Sequence, residues 1–205
     1  MKSVKKILLF IFLLILPLFL STCKKDLLKL VSVTTGTFTD SRDGKTYKTT
    51  TIANYTWLAE NLDFATDSGS CYYNNDVQNK EYGRLYLSTA LLSAVPAGWH
   101  LPTSAELKFL YDSLGCYDAA YQMKECGNKH WTGDNSYANN QSELTILPGG
   151  EYSFANHQFK ELGIFAIFWE TVQSTWFVTR YNKFYYNNHN ATTGEMYSIR
   201  VVKDY

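Results

Sequence analysis

The sequence lacks the short motifs by which many enzyme classes are identified. It contains no Gly-x-Ser-x-Gly turn around a nucleophile, no glycine-rich loop that would hold a phosphate, and no His-Glu-x-x-His pair. Its four histidines are isolated from one another, and no cysteines form a Cys-x-x-Cys pair. These absences argue against hydrolases with a nucleophile elbow, P-loop enzymes and zinc peptidases.

An excess of positive charge is also missing. The chain has 19 basic and 19 acidic residues. Three of the basic residues lie within positions 1–22, so a chain cleaved after residue 22 would carry 16 basic and 19 acidic residues and a net charge of −3. Nucleic-acid-binding proteins present basic patches, so we expect no nucleic-acid partner.

Long apolar runs are scarce, and the one near the start is too short to span a membrane. It extends from Ile7 to Leu20 behind three lysines, whereas a spanning helix needs about 20 apolar residues. The segment Leu20-Ser21-Thr22-Cys23 resembles a lipobox. We therefore predict a lipoprotein signal peptide at 1–22, lipidation of Cys23 and a lipidated tether at 23–33; an anchor helix or cleavage elsewhere are the alternatives.

The rest of the chain has the composition of a folded domain rich in aromatic rings. Hydrophobic residues make up 45%, charged residues 19% and aromatic residues 16%, with 16 tyrosines. This balance favours a globular fold over disorder. Rings of this kind suit a β-rich core and equally a surface that binds sugars or proteins.

The segment Gly98–Leu107 predicts a sharp corner between a strand and a helix. Pro102 favours an extended conformation at the residue before it, and Thr103 with Glu106 matches a capping box. The helix should therefore begin at Ser104, and Gly115 should end it. Upstream, β-branched and aromatic residues at 37–39 and 46–52 flank Ser41–Gly44, which predicts a hairpin.

The remaining pattern predicts one more helix and several short strands. Apolar spacing favours a helix over 84–95. Short strands are expected at the following positions: 55–59, 144–147, 165–169, 175–181, 183–186 and 197–202. The predicted fold class is α+β, with a twisted antiparallel sheet, two helices and long loops.

Several motifs resemble the Fibrobacter succinogenes major paralogous domain. They are Asp43-Gly44-Lys45-Thr46-Tyr47, Trp57-Leu58-Ala59-Glu60-Asn61-Leu62, Tyr82-Gly83-Arg84-Leu85-Tyr86, Gly98-Trp99-His100-Leu101-Pro102-Thr103 and Ser198-Ile199-Arg200-Val201-Val202. The resemblance places the domain at 34–205. The Leu-Pro-Thr-x-x-Glu corner and the closing strand are more distantly similar to the formylglycine-generating, C-type-lectin-like fold. The resemblance implies a lipid-anchored domain of the Gram-negative cell envelope, at the outer membrane or cell surface.

The cysteines left after Cys23 form an odd set. Cys116 and Cys126 lie close in sequence just beyond a helix end, so we predict a disulfide between them, and Cys71 is left free or paired elsewhere. A zinc site of these two with His130 is disfavoured by their spacing. Related chains often carry cysteine at the positions of Val95 and Val201, which implies that the last strand lies beside the Gly98 corner.

The resemblance also weighs against catalysis. Formylglycine-generating enzymes need reactive cysteines near the C-terminus, and this chain has none after Cys126. The Glu-Pro-Asn and Trp-Asn-Asp patterns of calcium-dependent lectins are missing too. We expect no catalytic residues, no metal and no cofactor.

Three hypotheses follow for the function. The first is a surface domain that binds an extracellular glycan or protein through Tyr185, Tyr186 and Asn187, whose rings and amide suit sugar hydroxyls. The second is a structural or assembly component of the envelope without a small ligand. The third is an enzyme with an unrecognised site. An exposed row of rings would favour the first, a broad apolar patch the second, and a deep pocket with titratable groups the third.

Overall fold

The computed structural model of the protein describes residues 31–188 and 191–203. The predicted signal peptide at 1–22, the lipidation site Cys23 and most of the tether at 23–33 lie outside these residues and stay predictions. Within the described part, no helix has both the length and the apolar character needed to cross a bilayer.

The described residues contain three antiparallel sheets. The strands in chain order are β1 (Val33–Thr39), β2 (Thr46–Ile52), β3 (Tyr55–Leu58), β4 (Ser70–Cys71), β5 (Leu85–Leu87), β6 (Trp99–His100), β7 (Glu151–Ser153), β8 (Gln158–Lys160), β9 (Phe165–Trp169), β10 (Thr175–Thr179), β11 (Phe184–Asn188), β12 (Met196–Tyr197) and β13 (Val202–Lys203). Their orders are β1-β2-β3-β13-β6, β4-β5-β12-β7-β8 and β11-β10-β9. The α+β class is confirmed, although three sheets replace the single predicted one.

The helices are few and short. They are α1 (Leu91–Ala94), α2 (Ser104–Ser113) and α3 (Ala119–Met123), with 3-10 turns at Tyr73–Asn75, Val77–Tyr82, Ser88–Ala90 and Cys116–Asp118. The helix predicted over 84–95 is present only from Ser88 to Ala94, as a 3-10 turn followed by α1, and its first part is wrong, because Leu85 and Tyr86 belong to β5, which pairs with both β4 and β12. The predicted strand at 144–147 is also wrong, because it makes only an isolated bridge, between Ile146 and Lys124.

The hairpin and the strand order near the C-terminus agree with the sequence. β1 and β2 pair antiparallel from Thr39↔Thr46 to Val33↔Ile52, and Gly44 adopts a positive φ in the turn between them. β13 pairs with β6 through Val202↔His100. The last strand therefore lies beside the Gly98 corner, as predicted.

The segment 196–203 contacts all three sheets. β12 lies between β5 and β7 in one sheet, and β13 lies between β3 and β6 in another. Between these strands, Ser198 forms a parallel bridge with Phe168 of β9, and the Trp169 amide donates to the Ser198 carbonyl at 3.0 Å. The last described residues thus join the three sheets.

The predicted capping box is present at the start of α2. The Glu106 amide donates to Thr103 Oγ1 at 3.3 Å, and Glu106 Oε2 accepts from the Thr103 amide at 2.8 Å. His100 Nε2 lies 2.9 Å from Glu106 Oε1, so the buried carboxylate joins β6 to the helix. Leu107 and Leu110 then pack into the core on one face of α2.

Replacing Glu106 by Ala is expected to lower the free energy of unfolding by about 1–2 kcal/mol, because the Thr103 amide and His100 lose their acceptor. Glu106→Gln is the matched control, since a glutamine oxygen completes a capping box equally well. Urea denaturation checks both variants. An equal loss in the two would show that the carboxylate charge, and not the cap, carries the effect.

Buried Arg200 joins three of the family-like motifs. Its Nε donates to Asn61 Oδ1 at 2.7 Å, and its terminal nitrogens donate to the carbonyls of Leu58, Leu144 and Thr145 at 3.0, 2.7 and 3.0 Å. Asn61 in turn donates through Nδ2 to the Tyr82 carbonyl at 2.8 Å. These motif residues therefore have a structural explanation that requires no ligand.

Candidate functional site

The three-stranded sheet has an unusual outward face. Its inward face packs Ala166, Phe168, Trp176 and Val178 into the main core, and all four side chains are fully buried. Since successive strand residues point to opposite faces, the outward face carries Phe165, Ile167, Phe177 and Tyr185. A sheet face open to water normally carries polar side chains. Trp169 on the same face is fully buried in a second core cluster, and Ile167 packs against that cluster. The part of the face that is open to water therefore carries Phe165, Phe177 and Tyr185, each at least partly exposed.

The three rings on this face contact one another. Tyr185 is 48% exposed and stacks on its cross-strand partner Phe177, with ring centroids 4.9 Å apart and planes inclined by 28°. Phe177 also meets Phe165 edge to face at 6.2 Å. The rings thus form a continuous aromatic row across β9, β10 and β11.

A groove of about 240 Å³ lies beside this row, lined by Phe165 and Phe177, while Tyr185 stacks on Phe177 outside the lining. Its lining residues are Glu151, Glu161, Phe165, Ile167, Thr175, Phe177, Asn188 and Tyr197. We call this feature the sheet-face groove. It combines aromatic rings with carboxylates and an amide, and these polar groups accept or donate hydrogen bonds to hydroxyls.

Two of the side chains that line the groove have close polar partners. Burial raises the pKa of the Glu151 carboxyl, and the Lys160 ammonium 3.0 Å away opposes that rise. Burial also raises the pKa of Tyr197, whose hydroxyl donates to Glu195 Oε2 at 2.6 Å. The phenol therefore stays protonated at neutral pH and the groove presents polar groups that form hydrogen bonds.

The structure separates the three residues predicted to bind a ligand. Tyr185 points outward, whereas Tyr186 points to the core side, where its ring lies 6.3 Å from Tyr111 and 5.8 Å from Phe184. Asn187 has an exposed side chain and a positive φ of 58°, and its backbone N–H donates to Glu170 Oε2 at 2.7 Å. Only Tyr185 of the three belongs to the aromatic row.

A β-bulge explains this separation. The register pairs Thr175 with Asn188 but Phe177 with Tyr185, so β11 contains one residue more than β10 over this stretch. The extra residue shifts the alternation, and Asn188 lines the groove in place of Asn187. Buried Glu170 holds the bulge against α2, because its other oxygen accepts from the Ser104 hydroxyl.

Sequence reasoning missed Phe165, Phe177 and both groove carboxylates. One signal could have found the rings: the segments Phe165–Trp169 and 176–178 are apolar at every position rather than at alternate ones. Such runs indicate a strand with apolar groups on both faces. No local pattern connects these strands to Glu151 or Glu161, because the groove is formed by tertiary packing.

The predicted disulfide between Cys116 and Cys126 is absent from the described residues. Cys126 is exposed and its thiol is free, while Cys116 is buried. Cys71 is also a free thiol, half-buried, with its Sγ 3.7 Å from the Met196 sulfur.

His130 has carboxylate partners and no thiol partner. Its Nδ1 lies 2.8 Å from Glu125 Oε2, and its Nε2 lies 3.0 Å from Glu81 Oε2. The ring therefore links the loop after α3 to the 3-10 turn at Val77–Tyr82. Across residues 31–188 and 191–203, no three His, Cys, Asp or Glu side chains are grouped so that they could hold a metal.

Comparison with known proteins gives a family match. A family model described as the Fibrobacter succinogenes major domain matches residues 45–203. No curated protein and no solved structure matches the chain. The matched span is more than half of the chain and includes the whole aromatic row as well as Arg200.

Proposed function

We propose that this chain is a non-catalytic envelope domain that binds an extracellular glycan. The chain belongs to the Fibrobacter succinogenes major domain family and carries an exposed aromatic row. The proposal includes a lipid anchor at Cys23, with the domain at the outer membrane or cell surface of a Gram-negative bacterium. It also includes a C-type-lectin-like arrangement of the sheets, which the position of β13 beside β6 supports.

The aromatic row is the observation that carries the proposal. Exposed rings in a row provide flat apolar platforms, and a pyranose ring presents a flat face of C–H groups that stacks on such platforms. The carboxylates of Glu151 and Glu161 and the amide of Asn188 line the same groove. Carboxylates accept hydrogen bonds from sugar hydroxyls, while an amide both donates and accepts.

A structural or assembly role in the envelope is the second candidate. The aliphatic side chain of Ile167 lies in the groove and extends the apolar character of the face. Large apolar faces on folded proteins commonly mark contacts with other proteins. In this case the face would contact a protein partner and no small ligand.

Replacing Tyr185 by Ala is expected to weaken glycan binding about five- to tenfold, the effect of losing one stacking contact of about 1–1.4 kcal/mol. The full chain, purified in mild detergent, is screened on a broad glycan array, and affinities for the hits are measured by calorimetry. Tyr185 is partly exposed, so the variant should remain folded.

Tyr181→Ala is the matched control, because Tyr181 is 65% exposed in the turn between β10 and β11, whereas Tyr185 stacks on Phe177, which lines the groove. Its affinity should equal that of the unmodified chain. An array without hits, from protein with a normal thermal transition, would remove the glycan proposal and favour the assembly role. Equal losses in both tyrosine variants would show that the ligand does not use the sheet-face groove.

A further inference from the structure

A second cavity, with a volume of about 460 Å³, lies between α3 and the loop that follows it. Its lining residues are Asp118, Tyr121, Gln122, Tyr137, Asn139 and Gln141. We call it the tyrosine–amide cavity. None of these residues lines the sheet-face groove, so the two features are separate.

The two tyrosines form a corner in this cavity. Their ring centroids lie 6.0 Å apart and their planes are inclined by 71°. One ring can therefore contact the flat face of a bound ring while the other contacts its edge. Tyr137 is 72% exposed, so much of its surface is open to a ligand.

The backbone that carries Tyr137 is fixed despite this exposure. Asn135 is buried, and its Nδ2 donates to the carbonyls of Glu125 and Gly127 at 2.8 and 2.6 Å. The Asn139 amide donates to the Tyr121 carbonyl at 3.0 Å. The loop is thus tied to residues 125 and 127 on one side of Tyr137 and to α3 on the other, which lowers the entropy lost when a ligand binds.

The polar groups of the cavity are mostly neutral amides. Gln122 is oriented by its Nε2, which donates to the Leu114 carbonyl at 2.8 Å, and Asn139 Oδ1 accepts from the backbone N–H of Gln141 at 3.1 Å. Amide side chains both donate and accept hydrogen bonds, as sugar hydroxyls do. The cavity walls therefore match the bonding capacity of a hydroxylated ligand.

The lining also disfavours other classes of ligand. It contains no cationic side chain, and its single charged group is the Asp118 carboxylate, so phosphates and acidic sugars would meet no opposite charge. It contains no aliphatic side chain, so it offers little to a lipid chain. We propose that the tyrosine–amide cavity binds a neutral pyranose unit of a polysaccharide.

This site goes beyond the proposed function, because it lies elsewhere on the domain and does not depend on the sheet-face groove. Two glycan sites on one domain would let a long polymer bind at both positions at once. The second contact would then form at a high effective concentration, which raises the apparent affinity for polymers over short oligosaccharides.

Saturation-transfer NMR on the full chain in mild detergent tests the cavity, with cellohexaose, maltohexaose, xylohexaose and mannohexaose as probes. The experiment is run in a Tyr185→Ala background, so that binding at the sheet-face groove is already weakened. We expect at least one probe to receive saturation, and Tyr137→Ala to reduce its affinity about tenfold, which corresponds to about 1.4 kcal/mol.

Tyr117→Ala is the matched control, since Tyr117 is 80% exposed just before α3 and does not line the cavity. It should change the affinity less than twofold. No saturation of any of the four probes, or equal losses for Tyr117→Ala and Tyr137→Ala, would overturn the cavity proposal. A lower probe affinity in Tyr137→Ala would support the cavity. Equal probe affinities of the Tyr185→Ala chain and the unmodified chain would in addition count against the sheet-face groove.

Discussion

Replacing Arg200 by Met is expected to lower the free energy of unfolding by about 3–5 kcal/mol, a large part of the 5–15 kcal/mol typical of a domain. Methionine fills similar space but cannot donate, so Asn61 Oδ1 and three backbone carbonyls lose their donor. Each buried acceptor left without a partner costs about 1–3 kcal/mol.

The cost of keeping the charged guanidinium away from water opposes this loss of stability. Burial lowers the pKa of the Arg200 guanidinium to about 9, which shows that its charge is held away from water. Removing the charge recovers part of that cost, and the expected loss is accordingly smaller than the sum over four acceptors. The guanidinium stays protonated at neutral pH, because its pKa remains above 7.

Guanidinium chloride denaturation measures the effect, with Arg180→Met as the control. Arg180 is partly exposed, so its replacement should change stability by less than about 1 kcal/mol. Arg200→Lys should lower the free energy of unfolding nearly as much as Arg200→Met, because a compact ammonium group cannot reach all the acceptors that surround the planar guanidinium. A methionine variant as stable as the unmodified chain would mean that the desolvation cost of the guanidinium equals the value of its hydrogen bonds.

Replacing Lys124 by Met is expected to stabilise the protein by about 1–3 kcal/mol at pH 7. Lys124 is completely buried, and burial lowers the pKa of its amine from 10.5 to about 8. This shift corresponds to a cost of about 3 kcal/mol for the charged form. The Asn182 side chain, which accepts from Nζ at 2.8 Å, and the Trp131 ring, 4.1 Å away, offset part of it.

The same substitution should change the pH dependence of stability. Between pH 8 and 10.5 the unfolded chain binds more protons at Lys124 than the folded chain, so the free energy of unfolding rises with pH through this window. Below pH 8 the full cost of the buried charge is present. The Lys124→Met variant should lack this rise, so its advantage should shrink from pH 8 to pH 10.5.

Thermal unfolding at pH 7 and at pH 10 checks this expectation. Subtracting the pH dependence of Lys124→Met from that of the unmodified chain removes the contributions of tyrosines that titrate in the same range, because both proteins contain them. The exposed Lys183 provides the control, because Lys183→Met should leave the pH dependence unchanged. A lower melting temperature for Lys124→Met at pH 7 would mean that the contacts to Asn182 and Trp131 outweigh desolvation.

The parts of the fold that sequence could predict are those set by neighbouring residues. The capping box at Thr103 and Glu106, the hairpin turn before Lys45, and the strand Phe165–Trp169 each depend on side chains a few positions apart. Local hydrogen bonding and backbone freedom fix such features before distant contacts form. They were predicted with nearly the observed bounds.

The wrong predictions concern elements whose structure is set by contacts with residues distant in sequence. The apolar spacing over 84–95 suits a helix, but Tyr86 and Leu87 gain strand partners in Tyr197 and Met196, more than a hundred positions away. The bulge that moves Asn187 out of the groove and Asn188 into it depends on the contact between Asn187 and Glu170. Likewise, pairing Cys116 with Cys126 ignored the short helix between them. In the candidate site, sequence identified Tyr185 alone.

The position of the last strands sets the order in which this chain can become compact. A ribosome delivers the chain from its N-terminus, yet β12 and β13 occupy interior places in two of the sheets. Until residues 196–203 emerge, β3 and β6 lack the strand that lies between them, and so do β5 and β7. The two sheets can therefore be completed only after residues 196–203 leave the ribosome, with long loops closed late, and a chain that lacks these residues would leave unpaired strand edges open to proteases and to aggregation.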